Sequence, residues 1–128
     1  VHGQLRLIIC IASNDEPIGT LDLYDADFKN LRAAIGILIA DSEHRGQGYA
    51  LEALEILENY ACKILGFHNL YCSVHADNPA SNALFRGAGY EQVGIRKEWF
   101  LDVASDSERT NGKQWIDEIL YQKCLKKD

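Results

Sequence analysis

The sequence predicts an α/β protein of the α+β kind, with one mixed, mostly antiparallel sheet and elements in the order βββ-α-β-α-ββ. Three observations predict this fold. Short runs rich in β-branched residues lie near both ends of the chain, as is typical of strands. The apolar period changes to that of a helix over residues 48–65. A strand, this long helix and another strand follow one another, which indicates a parallel β-α-β crossover.

Three strands are predicted before the long helix. Residues 6–12 are a short apolar run that ends at the turn-forming segment 13–17. Apolar and polar side chains alternate over residues 18–24, and residues 25–30 read as a polar loop. Residues 33–40 are continuously apolar, as expected of a strand covered on both faces. Because the connections are short, we expect these three strands to be antiparallel.

The helix over residues 48–65 is amphipathic and ends at Gly66, a residue suited to a C-terminal cap. The positions expected to face inward are Ala50, Ala53, Leu54, Leu57, Ala61, Ile64 and Leu65. A strand over residues 69–76 follows, with Leu70, Cys72, Val74 and Ala76 inward. Asn78 and Pro79 begin a second, short helix, since asparagine caps free amides and proline suits the first helical position.

The second helix is expected to end by Gly87 or Gly89. Two further strands, over residues 90–100 and 115–124, are joined by the polar loop 102–113. The connection predicts an antiparallel pair. The chain of 128 residues has the size of one domain, and we interpret residues 1–128 as a single domain.

Composition excludes several classes of function. The net charge of -6 argues against a nucleic-acid partner, which needs a basic face. No apolar run approaches the ~20 residues of a membrane helix. The histidines are scattered and the cysteines lack CxxC spacing, so we predict no metal site. Four cysteines inside apolar stretches indicate buried free thiols and a cytoplasmic protein; these are Cys10, Cys62, Cys72 and Cys124.

The segment with the clearest chemistry is the loop between the third strand and the long helix. Gly46 and Gly48 allow a ligand to approach the backbone, and the free amides of a helix N-terminus bind anions. Arg45 adds a positive charge beside them. The alternative is that the glycines only make a tight turn. The loop lacks the spacing of a dinucleotide-binding fingerprint and the Gly-Lys-Ser/Thr of a P-loop.

Two motifs make the sequence similar to one family. The stretch Arg45-Gly-Gln-Gly-Tyr-Ala50 resembles the pyrophosphate loop of the GNAT superfamily of N-acetyltransferases. The stretch His75-Ala-Asp-Asn-Pro-Ala-Ser-Asn-Ala-Leu-Phe-Arg-Gly-Ala-Gly-Tyr90 resembles the second motif of the same family. Gly94 and the segment 115–121 are similar to the branch that acetylates ribosomal-protein alanine, spermidine and diamines. The resemblance implies the GNAT fold and direct transfer of acetyl from acetyl-CoA to a primary amine of a polyamine, a diamine or a protein N-terminus.

The resemblance also implies roles for individual residues. Backbone groups of the third strand would pair with the pantetheine arm of the cofactor, and loop amides would hold its pyrophosphate. Asn78 would reach the pantetheine or the sulfur, and its role as a helix cap is compatible with that. The implied cofactor-binding residues are Ile37, Leu38, Ile39, Arg45, Gly46, Gln47, Gly48, Tyr49, Ala50, Asn78 and Ser81.

The sequence departs from the family at two places. Relatives carry a tyrosine that protonates the departing thiolate, whereas the matching residue here is Phe85, which has no proton to give. Phe85 is either the residue at the acid position, where a Phe85→Tyr change would raise turnover, or a core aromatic. Tyr49, Ser81 or water are the alternative proton donors. Family members also begin with a further strand and helices before the segment that is matched here, and those elements form one wall of the amine pocket.

For the base, Asp22 is the candidate, because it lies on the strand before the cofactor strand and an ammonium must lose a proton before it attacks. The alternative is a solvated acid of the hairpin. Without the usual front elements, apolar sheet surface is left to be covered, which predicts a homodimer; examples of such residues are Leu5, Leu7 and Ile9. The alternative function is a catalytically weak acyl-CoA-binding or sensing module, which Phe85 favours.

Overall fold

The computed structural model describes residues 4–40, 45–102 and 114–125. Its elements follow the predicted order βββ-α-β-α-ββ, and the predicted mixed α/β fold is confirmed. The elements are β1 (Leu5–Cys10), β2 (Pro17–Asp27), β3 (Arg32–Ile39), α1 (Tyr49–Lys63), β4 (Asn69–His75), α2 (Pro79–Gly87), β5 (Glu91–Leu101) and β6 (Trp115–Cys124). In the sheet the strands have the order β1-β2-β3-β4-β6-β5.

The described residues belong to two compact units. One extends to Cys72 and includes the residues from Lys123 onward, and the other is Ser73–Gln122. Strands β4 and β6 each run from one unit into the other. The interpretation of the whole chain as one domain stays a prediction.

The first unit is an antiparallel meander with a helix on it. β2 pairs antiparallel with β1 and with β3, and β3 pairs in parallel with the start of β4. α1 packs against β3. The alternation predicted for β2 holds, since Leu21 and Leu23 are buried and Asp22 and Tyr24 are half-buried. The fully buried core of this unit includes Ile35, Leu54, Leu57, Phe67 and Leu70.

The second unit consists of the end of β4, the helix α2 and the antiparallel pair β5–β6. Its core is aromatic, with buried Phe85, Tyr90 and Tyr121. The Asn78-Pro79 start of α2 and its end at Gly87 are confirmed. Residues 103–113 of the predicted polar loop lie outside the described residues.

Several boundaries and burial predictions were wrong. β2 extends to Asp27, so half of the predicted loop 25–30 belongs to the strand, where a shift in its pairing with β3 accommodates a left-handed Asp25. Ile64 is 70% exposed because α1 ends at Lys63 and the chain leaves the helix there. Ala76 is exposed because β4 ends one residue earlier. The prediction of four buried thiols holds for Cys62 and Cys72 and fails for two cysteines at strand ends, Cys10 and Cys124.

Gly66 caps the end of α1 as predicted, although the helix itself ends at Lys63. Gly66 adopts a left-handed conformation with φ of 76°, and the Phe67 amide donates to the Ala61 carbonyl at 2.9 Å. That bond satisfies one of the carbonyls at the end of the helix. None of the helices in the described residues is long and apolar enough to cross a membrane.

Candidate functional site

Within the described part of the chain, one edge of β3 is paired only over the first three residues of the strand. Along the edge that faces β2, the register runs from Arg32 to Ile39. Along the opposite edge, the ladder with β4 in the described residues joins Arg32–Asn69, Ala33–Leu70 and Ala34–Tyr71. Beyond Ala34, β3 therefore offers backbone groups to something other than β4.

The pairing with β2 decides which backbone groups those are. The Ala40 amide donates to the Ile18 carbonyl at 2.9 Å, so these two residues form a hydrogen-bonded pair of the antiparallel ladder. Hydrogen-bonded pairs alternate with non-hydrogen-bonded pairs along such a ladder. Leu38 therefore directs its N–H and C=O toward β2, whereas Ile37 and Ile39 direct theirs to the opposite edge. The sequence interpretation treated the three residues alike, and the ladder separates Leu38 from the other two.

The glycine loop lies directly after this edge. Arg45 donates from Nε to the Ile39 carbonyl at 3.1 Å, so the arginine is tied to the last residue of β3. Gly46 and Gly48 have φ of 75° and 82°, a left-handed conformation that residues with a side chain rarely adopt. A Cβ at either glycine would meet no atom of the described residues within 4 Å. The loop is exposed and thus leaves room for a ligand against its backbone.

The start of α1 suits an anion. Gly48 is the N-cap and has no side chain with which to bond the first amides of the helix. The first turn is formed by Tyr49 and Ala50, which are half-buried, while Gln47 in the preceding loop is exposed. Backbone amides at such an end carry a partial positive charge that binds phosphate.

In the second unit, a hydrogen-bonded network surrounds Asn78. Its Oδ1 accepts from the Ser81 amide at 3.1 Å, so Asn78 is the predicted helix cap. Asn82 donates from Nδ2 to the carbonyls of Asn78 at 2.8 Å and His75 at 3.0 Å, which ties the end of β4 to the first turn of α2. The Tyr121 hydroxyl donates to Asn82 Oδ1 at 2.5 Å, and both residues are buried. Within the described residues, Nδ2 of Asn78 has no partner and can serve a ligand.

The roles of Asn82 and Tyr121 were missed by the sequence interpretation. The available signal was the spacing of Asn78 and Asn82, since residues four apart share one face of a helix. An asparagine on the inward face of a helix needs a buried partner, but the sequence does not say which strand supplies it.

Phe85 lies in the core of the second unit. Its side chain is on the inner face of α2 and is 3% exposed. The ring contacts Tyr90 edge-to-face, with centroids 5.2 Å apart, and lies nearly parallel to Tyr121 at 6.1 Å. This packing favours the interpretation of Phe85 as a core aromatic.

Asp22 is held by an arginine. Its carboxylate accepts from Arg6 Nε at 2.7 Å and from Arg6 Nη2 at 2.8 Å. These hydrogen bonds from a guanidinium stabilise the carboxylate and lower the pKa of Asp22 below its ordinary value. A carboxylate with a lowered pKa is a weaker proton acceptor, so the pairing works against Asp22 as a base at neutral pH. Its role stays a prediction.

The structure thus divides the proposed site residues between the two units. Asp22, the edge of β3 and residues 45–50 belong to the first unit, and Asn78, Ser81 and Phe85 to the second. Residues 41–44 of the loop lie outside the described residues. In the described ranges, no group of three or more His, Cys, Asp or Glu side chains could hold a metal ion.

Comparison with known proteins gives one family. The model of the acetyltransferase (GNAT) domain matches residues 2–91 of the chain. Spermidine N(1)-acetyltransferase of Vibrio cholerae is 29% identical over 86 residues, which cover 66% of this chain and 49% of that protein. An uncharacterized N-acetyltransferase of Bacillus licheniformis, p20, is 29% identical over 100 residues, 77% of this chain and 56% of that protein. The chain spans about half the length of these relatives.

Solved structures give the same fold. The dodecameric structure of spermidine N-acetyltransferase from Vibrio cholerae in an intermediate state superposes with a TM-score of 0.80 at 24% identity. The superposition covers 97% of this chain and 66% of that one. At this level of identity the likeness establishes the arrangement of helices and strands.

Proposed function

We propose, because the chain belongs to the acetyltransferase (GNAT) domain family, that it binds acetyl-CoA and transfers the acetyl group to a primary amine. The observation that carries the proposal is the edge of β3 beyond Ala34, which has no strand beside it in the described ladder and leads directly into an open glycine loop. An extended ligand arm beside a strand edge and a phosphate group at a helix N-terminus are two recurrent modes of recognition.

In this proposal the pantetheine arm lies along β3 as an added strand. Ile37 and Ile39 direct their backbone groups to that edge, as the alternation of the ladder requires. The N–H and C=O of Leu38 bond to β2, so this residue does not pair with the arm and contributes to the site only by holding β3 against β2. Arg45 keeps the loop against the end of β3 through the Ile39 carbonyl.

The pyrophosphate binds at the loop and at the first turn of α1. Gly46 and Gly48 have no side chains, so a phosphate can come close to the loop backbone, and the helix dipole adds a positive potential there. The residues assigned to this contact are Arg45, Gly46, Gln47, Gly48, Tyr49 and Ala50. Asn78 offers Nδ2 to the pantetheine while Oδ1 caps α2, and Ser81 lies beside it in the first helical turn.

The reaction in this proposal is direct attack. Acetyl-CoA supplies the activated acetyl group when it is bound. The neutral amine nitrogen forms a bond to the thioester carbon and gives one proton to water, the C–S bond breaks, and the leaving thiolate takes up one proton from water. The proton of the ammonium passes to a base, for which Asp22 is the candidate, directly or through water. A covalent acyl-cysteine is disfavoured at Cys72, because burial raises the pKa of that thiol to about 12.

The acceptor class in this proposal is an amine, with polyamines and diamines first, then protein N-termini, then amino sugars. The relative from Vibrio cholerae is named for spermidine. The net charge of -6 favours approach of a cation. We place the protein in the cytoplasm, which suits the free cysteines of the described residues.

A second candidate function is an acyl-CoA-binding module that senses the cofactor with little turnover. The observation that favours it is Phe85, which cannot protonate a thiolate and is packed in the core. Release of free thiol from acetyl-CoA, measured with a panel of amines, separates the two functions. Amine-dependent release supports the enzyme, and tight cofactor binding without release supports the module.

The cofactor site is tested by two matched glycine variants. Gly48 and Gly66 both have positive φ and open space around a new Cβ, so Gly48→Ala and Gly66→Ala suffer the same backbone strain. We expect both variants to lose similar stability and only Gly48→Ala to lose affinity for acetyl-CoA in calorimetry. Equal affinity of the two folded variants would show that the loop does not bind the cofactor.

We also propose that the chain associates with copies of itself through the β1 edge. β1 ends the sheet, and it exposes Leu5 by 37%, Leu7 by 38% and Ile8 by 59%. Its one charged side chain, Arg6, is neutralised by Asp22 and so does little to repel a second copy. The solved relative described above is dodecameric.

Light scattering at high micromolar concentration tests this association. We expect an oligomeric mass for the unchanged chain and a lower mass for Ile8→Lys, which places a charge on the edge. Ile56 is 65% exposed on α1, so Ile56→Lys is the matched control and should keep the oligomeric mass. A monomeric mass of the unchanged chain would overturn the proposal.

A further inference from the structure

Gly19 in β2 packs directly against the backbone of β3. A Cβ on this buried glycine would overlap the Leu38 carbonyl oxygen and would lie 3.1 Å from Ile39 Cα. Both neighbours are backbone atoms, which cannot turn away as a flexible side chain would. Gly19 is therefore the residue that allows β2 and the end of β3 to lie this close together.

The Leu38 carbonyl belongs to the peptide group whose N–H is that of Ile39. In a planar trans peptide the C=O and the N–H point in opposite directions. With the Leu38 oxygen on the side of Gly19, the Ile39 N–H points to the opposite edge of β3. This is the edge along which, in the proposed function, the pantetheine arm binds.

The same residue also anchors the glycine loop. The Ile39 carbonyl accepts the hydrogen bond from Arg45 Nε at 3.1 Å. A change in the tilt of the peptide between Leu38 and Ile39 thus reaches both the donor offered to the cofactor and the arginine at the pyrophosphate.

We propose that Gly19 is a positioning residue for acetyl-CoA, which sets the tilt of the Leu38–Ile39 peptide and so aims the Ile39 N–H at the pantetheine arm. The inference rests on the proposed function and adds to it a residue on the neighbouring strand that does not touch the cofactor. A misplacement of about 1 Å in a positioning group can lower the catalytic efficiency kcat/KM by up to ~100-fold.

The test compares Gly19→Ala with Gly87→Ala. Gly87 is the last residue of α2, has an ordinary backbone conformation, and a Cβ there would meet no atom of the described residues within 4 Å. We expect Gly19→Ala to raise the KM for acetyl-CoA by ~10–100-fold while kcat at saturating cofactor stays within a few-fold. Gly87→Ala should keep both constants near those of the unchanged protein.

A second measurement needs no variant. Amide hydrogen exchange of the unchanged protein, read residue by residue with and without coenzyme A, should show slow exchange at Leu38 in both states. Ile39 should exchange fast in the free protein and slowly in the complex. Fast exchange at Leu38, or slow exchange at Ile39 without the cofactor, overturns the proposal.

The outcomes separate this inference from the proposed function. An unchanged KM in folded Gly19→Ala overturns the positioning role and leaves cofactor binding intact. Failure of the unchanged protein to bind acetyl-CoA in calorimetry overturns both. If Gly19→Ala does not fold, the exchange pattern at Leu38 and Ile39 decides.

Discussion

Replacing Tyr121 with phenylalanine removes one hydroxyl from the core of the second unit. The hydroxyl donates to Asn82 Oδ1, and the two residues are 1% and 4% exposed. The ring of Tyr121→Phe still packs beside Phe85, so the change leaves the apolar contacts in place. Asn82 Oδ1 then stays buried, and no hydrogen-bond donor among the described residues replaces the lost hydroxyl.

The cost follows from that unpaired oxygen. A buried acceptor without its donor costs ~1–3 kcal/mol. For a chain of 128 residues unfolding as one cooperative unit, the unfolding entropy is about 0.27 kcal/mol per degree near 60 °C. We therefore expect Tyr121→Phe to lower Tm by roughly 4–11 °C.

Thermal unfolding followed by circular dichroism measures this shift. Tyr60 is 41% exposed on α1, so Tyr60→Phe is the matched control and should leave Tm within about 2 °C of the unchanged protein. Asn82→Ala should cost more than Tyr121→Phe, because it also removes the two bonds from Nδ2. The double variant should cost less than the sum of the single changes. A Tm of Tyr121→Phe equal to that of Tyr60→Phe would refute the network.

Four further predictions concern the chemistry of side chains. Phe85→Tyr adds a hydroxyl to a ring that is 3% exposed, so we expect a Tm lower by roughly 4–11 °C and no gain in turnover; higher turnover at an unchanged Tm would contradict the core assignment. Asp22→Asn should lower turnover at neutral pH without changing affinity for acetyl-CoA, and wild-type turnover across pH would remove Asp22 from the mechanism. Arg6 lowers the pKa of Asp22, so this pair stabilises the fold above the ordinary carboxyl pKa of 3.8 and loses its effect as pH falls below that value. Asp22→Asn lacks the pair at every pH, so in acid unfolding it should lose less stability than the unchanged protein as pH is lowered. In native protein at pH 8, a thiol reagent should spare Cys72 and modify two exposed cysteines, Cys10 and Cys124; equal rates at all thiols would contradict the burial.

Local signals in the sequence were enough for the order of the elements. The alternation in β2, the helical period of α1 and the Asn78-Pro79 start of α2 each depend on residues that are close together in the chain. Periodicity and capping depend on residues a few positions apart, so they can be identified from the sequence alone. Boundaries were less secure, as Ile64 shows, since it fits the helical period but follows the last helical residue.

Part of the candidate site could be found in the same way. The glycine loop can be recognised in the sequence because Gly46 and Gly48 adopt a left-handed backbone that other residues disfavour. The sequence could not distinguish Leu38 from Ile37 and Ile39, because the direction of a backbone group in a strand depends on which residue of the next strand lies opposite. The register of β2 with β3 decided it.

By itself, the sequence determined the fold class, the family and the place of the glycine loop, since each follows from a short pattern of apolar period, glycine and helix cap. Only the tertiary structure decided the partners of single polar groups. Asp22 lies opposite Arg6, Tyr121 reaches Asn82, and Gly19 touches the Leu38 carbonyl across strands that are distant in the chain. The physical reason is that a hydrogen bond or a backbone contact requires atoms within about 3 Å. Only the register of the strands and the packing of α2 bring these residues to that distance.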